Sequence, residues 1–152
     1  MEKVFLNSDE RFMKMALQEA VKAAHEGEVP VGAVVVDGHG HIVAAAHNMT
    51  QALNDVTAHA EMLSITAASQ HFGAKYLKDC TIYVTVEPCL MCAGALAWSQ
   101  IGRIVIGCCD EKRGFSIQTG TVSPFHPKTK VEFGVMADEC GKCMSEFFSL
   151  RR

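Results

Sequence analysis

With 152 residues, nearly half of them hydrophobic, the chain is long enough to close one core, and a single domain over residues 1–152 is expected. No window approaches the run of about 18 apolar residues that a membrane span requires, and the opening Met1-Glu2-Lys3-Val4-Phe5-Leu6-Asn7 lacks the apolar stretch of a secretory leader; a soluble cytoplasmic protein without a membrane partner is expected. A net charge of −3 excludes a strong overall pull on a polyanion, and seven cysteines, an odd number gathered in the second half, fit reduced thiols and a metal site better than a disulfide framework.

The first regular segment places Met13, Ala16, Leu17, Ala20, Val21 and Ala24 on one helix face, with Asn7 and Glu10 spaced as a capping box and Gly27 as the stop. Gly32 to Asp37 reads as a buried strand, Gly38-His39-Gly40 as a hairpin turn, and His41 to Ala46 as the returning strand. After a polar loop from Asn48 to Thr57, a helix is expected from about Ala58 to Gln70, with Ala60, Leu63 and Ala67 inward. Thr81 to Thr85 is a strand. Pro88 marks a helix start, because proline has no N–H to lose in the first turn, and that helix runs to about Ser99. Arg103 to Gly107 is another buried strand. The stretch from Asp110 to Lys130, with Gly114, Gly120, Pro124 and Pro127, is expected to be mostly loop. A short strand, Val131 to Val135, precedes a terminal amphipathic helix bearing Met136, Cys140, Cys143, Met144 and Phe147 on one stripe. Strands alternating with helices, after an initial hairpin, predict a three-layer α/β/α domain on a mixed sheet.

Two segments carry chemistry: Thr57-Ala58-His59-Ala60-Glu61 and Glu87-Pro88-Cys89-Leu90-Met91-Cys92. They supply one imidazole, two thiols and a carboxylate. Three protein ligands with an open fourth position is the stoichiometry of catalytic zinc, whereas structural zinc is usually closed by four. Cys89 and Cys92 share a helix face near its start, where unpaired N–H groups and the helix dipole favour thiolate. His59 and Glu61, two residues apart, converge only if they too occupy a helix start. With zinc lowering the pKa of a water, Glu61 is placed to take its proton and return it to a ring nitrogen and then to departing ammonia. The bland alternative is that Cys89 and Cys92 are ordinary buried cysteines and His59 a satisfied core histidine.

The H-x-E with a later P-C-x-x-C is identified as the signature of zinc nucleobase deaminases. Beyond it, Val29-Pro30-Val31-Gly32-Ala33-Val34, His47-Asn48, the run Tyr83 to Ala95, Ala137-Asp138-Glu139-Cys140, Phe147-Phe148 and Arg151-Arg152 closely resemble the bacterial tRNA-specific adenosine deaminases over nearly the whole chain. The resemblance implies the cytidine-deaminase-like fold with a five-stranded mixed sheet, a homodimer, one Zn2+ per subunit, and hydrolysis of the wobble adenosine of a tRNA anticodon stem-loop to inosine. It implies His59, Cys89 and Cys92 as ligands and Glu61 as proton shuttle. It implies that Asn48 hydrogen-bonds the flipped base beside the Ala60 backbone, that Val31 and Val86 wall the pocket, and that Asp110 lies near the ribose. Phe147, Phe148, Arg151 and Arg152 would meet the anticodon loop. The competing expectations are a free-base or nucleoside deaminase acting on guanine or cytosine, a non-catalytic zinc module, and redox work at Cys140-Gly141-Lys142-Cys143.

Overall fold

The computed structural model describes residues 8–151, and Arg152 and the Asn7 half of the expected capping box lie outside them. The initial hairpin forms as the Gly-rich turn dictates: β1 (Gly32–Val36) pairs antiparallel with β2 (Ile42–His47), and the Asp37 carboxylate closes the turn by accepting the His39 and His41 N–H groups at 2.9 Å. β3 (Thr81–Val86) lies antiparallel on the other side of β1, β4 (Arg103–Cys108) runs parallel to β3, and β5 (Lys130–Phe133) parallel to β4. The resulting order is β2-β1-β3-β4-β5.

Period-2 alternation sends the strands' side chains to two cores. Ala33, Val35, Ile82, Val84, Val86, Ile104 and Ile106 pack against α2 (Ala60–Phe72) and α3 (Leu90–Ser99). Val34, Val36, Tyr83 and Val105 face α1 (Ser8–His25) and α5 (Ala137–Ser149) through Met13, Ala16 and Cys140. The three central strands are therefore buried on both faces, which is why they read as continuous apolar runs. The parallel pairs β3/β4 and β4/β5 each need a crossover, and α3 and the connection through α4 (Phe115–Thr119) supply them. Arg103 ties the edges together, donating to Asp9 on α1 and to Glu132 on β5 at 2.6 to 2.9 Å.

The structure corrects several boundaries. α1 buries Phe12, Met13, Ala16, Ala20 and Ala23; Val21 is exposed, so the inward stripe runs one position earlier than the apolar count suggests. α2 buries Ala60, Glu61, Ser64 and Ala68, and Ala67 faces outward. Its inner face includes two polar residues, which hides it from a hydrophobic-period reading. α2 starts at Ala60 and α3 at Leu90, so Pro88 stands before the N-cap and not inside the first turn. The segment 110–130 contains the one short helix α4, whose first residue Phe115 packs edge-on against Phe125 at 4.9 Å. β5 stops at Phe133, and Met136 is the N-cap of α5, its side chain packing against the core that holds Cys140.

Candidate metal centre and active site

Two helix N-caps meet at one point. His59 caps α2 and Cys89 caps α3, both with extended backbone, and Cys92 follows one turn into α3. The His59 Nδ1 atom stands 3.7 Å from Cys89 Sγ and 3.5 Å from Cys92 Sγ, and all three donor atoms lie within 4.8 Å of one another. Zinc with Zn–S near 2.3 Å and Zn–N near 2.0–2.1 Å requires a nitrogen–sulfur edge of about 3.6 Å in a tetrahedron. The soft donor set and its spacing therefore fit zinc. Among the described residues this is the one group of three His, Cys, Asp or Glu side chains close enough to share an ion.

The electrostatics are those of a cation site. A hydrogen bond from Cys92, aided by His59, pulls the Cys89 thiol down to about 4, so it is a thiolate at neutral pH. Cys92 keeps its proton, because it neighbours that thiolate and Glu61 and is buried. His59 is raised by its bond to Cys89 and also engages the Val56 backbone. Glu61, the second residue of α2, is 3% exposed; burial pushes its carboxyl up to about 7, and its Oε1 atom has no hydrogen-bond partner. Buried polar atoms are nearly always satisfied, so a lone carboxylate oxygen beside three metal-type donors marks a group kept available for a ligand.

The structure gives each of the other expected site residues contacts of its own. The Asn48 side chain is buried, and its Oδ1 accepts the Ala60 N–H at 2.8 Å, so this amide both ties the loop to the start of α2 and retains its NH2 group as donor. Val31 and Val86 are buried in the core between the sheet and α2 and α3. Asp110 accepts the Lys112 and Arg113 N–H groups at 3.0 Å, closing its own turn. Phe147 is buried, with the Arg151 guanidinium 3.7 Å above its ring; Phe148 is 43% exposed. Phe147 thus closes the core and carries Arg151, leaving Phe148 and Arg151 as the surface pair. On α5, Cys140 is buried and both its thiol and that of Cys143 are shifted up by burial, which disfavours the thiolate that redox work needs.

Two buried carboxylates escaped the sequence reading. Glu28 accepts the Gln51 and Ala52 N–H groups at 2.9 and 3.0 Å and the Thr50 hydroxyl at 3.3 Å. Glu87, two residues before Cys89, accepts the Asp110 N–H at 3.2 Å and both the N–H and hydroxyl of Ser116 at 2.9 and 2.6 Å. A Cβ at Gly114 would lie 2.3 Å from the Glu87 carboxyl carbon, so only glycine fits the loop that wraps this group. Burial of an isolated Glu has no pattern along the chain; the sole signal was its place in the Glu87-Pro88-Cys89 run. Removing the carboxylate takes the acceptor from the Asp110 and Ser116 N–H groups, so Glu87→Ala is expected to destabilise the fold by about 2 kcal/mol in urea titration, with Glu87→Gln costing less.

Residues 6–108 match the family described as the cytidine and deoxycytidylate deaminase zinc-binding region. The tRNA-specific adenosine deaminase of Aquifex aeolicus is 42% identical, with 94% of this chain aligned to 95% of that one. A solved structure from a study of A-to-I editing by tRNA:A34 deaminases at the wobble position superposes with a TM-score of 0.81 at 38% identity, covering 88% of this chain and 98% of that one. The Bacillus subtilis guanine deaminase structure gives 0.64 at 34% identity over 75% of this chain and 71% of its own. The chain therefore belongs to the zinc-binding cytidine and deoxycytidylate deaminase family, among the tRNA-specific adenosine deaminases, and its single His59, Cys89 and Cys92 cluster among the described residues fits one zinc per subunit.

Proposed function

We propose that the chain is one deaminase domain that hydrolyses the 6-amino group of the wobble adenosine in a tRNA anticodon loop, leaving inosine. The observation that carries this reading is the three-donor cluster beside the unpartnered carboxylate oxygen of Glu61. His59, Cys89 and Cys92 would hold the zinc, which when bound supplies Lewis-acid activation of water at neutral pH. Glu61, poised near pH 7 by burial, is suited both to accept a proton and to return one to the ring nitrogen and the departing amine. The Asn48 NH2 donates to a purine ring acceptor, and the Ala60 N–H, committed to Asn48, fixes that amide. Val31 and Val86 wall the base, and Asp110 lies by the ribose. Phe148, Arg151 and Arg152 meet the loop nucleotides, with Phe147 beneath the Arg151 guanidinium. A loop base is already partly unstacked, so extruding it costs less than flipping one from a duplex.

The exposed side of α3 supports a second copy of the chain as the other partner. Trp98 is 84% exposed, Leu90 52% and Met91 37%, and Trp98 borders a groove of about 950 Å³ between α2 and α3 that Ile65 and Tyr76 also line. A second copy of the chain covers this face. Trp98→Glu is therefore expected to shift the protein from dimer to monomer in sedimentation analysis, with zinc content unchanged. Among the described residues no helix is long and apolar enough to cross a membrane, and we place the enzyme in the cytoplasm with its RNA.

Turnover on free guanine is the second reading, favoured by the likeness to the guanine deaminase. The zinc-loaded protein, incubated with an adenosine-bearing anticodon stem-loop and separately with guanine and cytosine, is expected to make inosine and leave both free bases intact. Ammonia release from guanine with none from the stem-loop decides for the second reading.

A further inference from the structure

The segment that carries Asn48 is gripped from α1 and the turn after it by three carboxylates. His47, the last residue of β2, has its Nδ1 2.9 Å from Glu19 Oε2 and its Nε2 2.9 Å from Glu26 Oε2, with its side chain only 15% exposed. A neutral imidazole offers one donor and one acceptor, and a carboxylate only accepts, so both contacts are satisfied together only by the imidazolium. Immediately after it, the Asn48 N–H bonds the Val31 carbonyl at 3.2 Å and the Asn48 Oδ1 accepts the Ala60 N–H. Two residues later the Glu28 carboxylate takes over, binding Thr50, Gln51 and Ala52. Asn48 thus sits between two fixed points, and only the one at His47 can be released by losing a proton.

We propose that His47 is a positioning residue whose imidazolium, clamped between Glu19 and Glu26, sets the orientation of the Asn48 amide against the start of α2. The part played by Asn48 toward the base rests on the reading above; the clamp itself does not. The charged groups around the ring are Glu19 with its partner Lys22, Glu26 and Glu28; beyond them, the Arg151 guanidinium comes within 3.8 Å of where a side chain on Gly27, next to Glu26, would begin. α2 covers the opposite face of β2 and carries only Glu61 and His71 as titratable groups. Burial disfavours the charged ring, but the bonds to the two glutamates outweigh it and raise the pKa. A raised folded-state pKa contributes stability that is fully present below the unfolded value of about 6.5 and is lost as pH rises through the folded one, so the clamp loosens toward alkaline pH.

Histidine ring and asparagine side-chain NMR resonances of the zinc-loaded protein, followed from pH 5.5 to 9.5, test this without any substrate. The His47 ring is expected to titrate above 6.5, and the Asn48 side-chain NH2 resonances are expected to move with the same midpoint. In His47→Gln those Asn48 resonances lie displaced and no longer titrate. In Glu26→Gln the His47 midpoint falls while the Glu19 contact remains. A His47 midpoint at or below 6.5, or Asn48 resonances indifferent to both the titration and the His47→Gln change, overturns the proposal. The stem-loop assay on the same samples keeps the two questions apart: kcat/KM of His47→Gln is expected to fall about tenfold at pH 7 and to lose the alkaline decline of the wild type. Loss of the substrate reading would appear as an inactive wild-type protein with the NMR coupling intact.

Discussion

Replacing Glu61 with Gln is expected to lower kcat on the anticodon stem-loop by about 10²- to 10⁴-fold, the usual contribution of a positioned acid–base group, while metal analysis still finds one zinc per chain. The three donor atoms of the cluster come from His59, Cys89 and Cys92, so the metal has no need of Glu61 for its retention. What disappears is a group that burial has tuned to about 7 and that has one oxygen without a partner. An amide of the same shape cannot accept and return a proton at that pH. Glu61→Asp keeps the carboxylate but withdraws it by one methylene, and it is expected to be crippled as well, because proton transfer demands hydrogen-bond reach. Near-normal turnover in either variant, with zinc retained, removes Glu61 from the chemistry. Loss of zinc in both would instead make the carboxylate part of the metal's own support.

Gly32→Ala is expected to cost more stability than alanine at any other glycine, above about 3 kcal/mol and beyond the usual 1–3 kcal/mol of core overpacking. A Cβ at that position would lie 1.9 Å from the Ala16 carbonyl oxygen and 2.6 Å from the Ala20 nitrogen, both backbone atoms of α1, which cannot swing aside as a side chain can. The Gly32 N–H also donates to the buried Thr85 hydroxyl at 3.1 Å, locking β1 to β3 at the position where α1 crosses. Relief would require α1 to lift from the sheet, opening the core formed by Met13, Ala16 and Val34. It would also carry away Glu19 and Glu26, which hold His47. The expected result in chemical denaturation is a lower midpoint with unchanged slope, accompanied by weaker activity of the folded fraction. An alanine variant as stable as the parent shows that α1 can rise without penalty.

Much of the site was legible because its chemistry is written in residue types that have few other uses at that spacing. His59, Glu61, Cys89 and Cys92 stand out as two short runs; Pro88 marks a helix start for the cysteines, and the two-residue separation of His59 and Glu61 requires one for that pair, and the structure places His59 and Cys89 at the two N-caps. The strands were found because the central ones are buried on both faces and apolar throughout. The inner face of α2 was misread because Glu61 and Ser64 are on it. A site helix buries polar groups for function, and a hydrophobic period counts them as outward.

From its order of residues alone, this chain determines a metal-type donor set, a proton carrier and the helix starts that present them, because capping, period and ligand spacing act over a few neighbouring positions. Only tertiary structure decided that Asn48 reaches across to the Ala60 N–H, that Phe147 is covered while Phe148 is not, and that Glu28, Glu87 and His47 are clamps. Each of those contacts joins groups 12 or more positions apart or depends on which face a packed helix turns to the sheet. Whether a carboxylate is buried and what it binds is settled by the closing of the core, not by its neighbours in the chain.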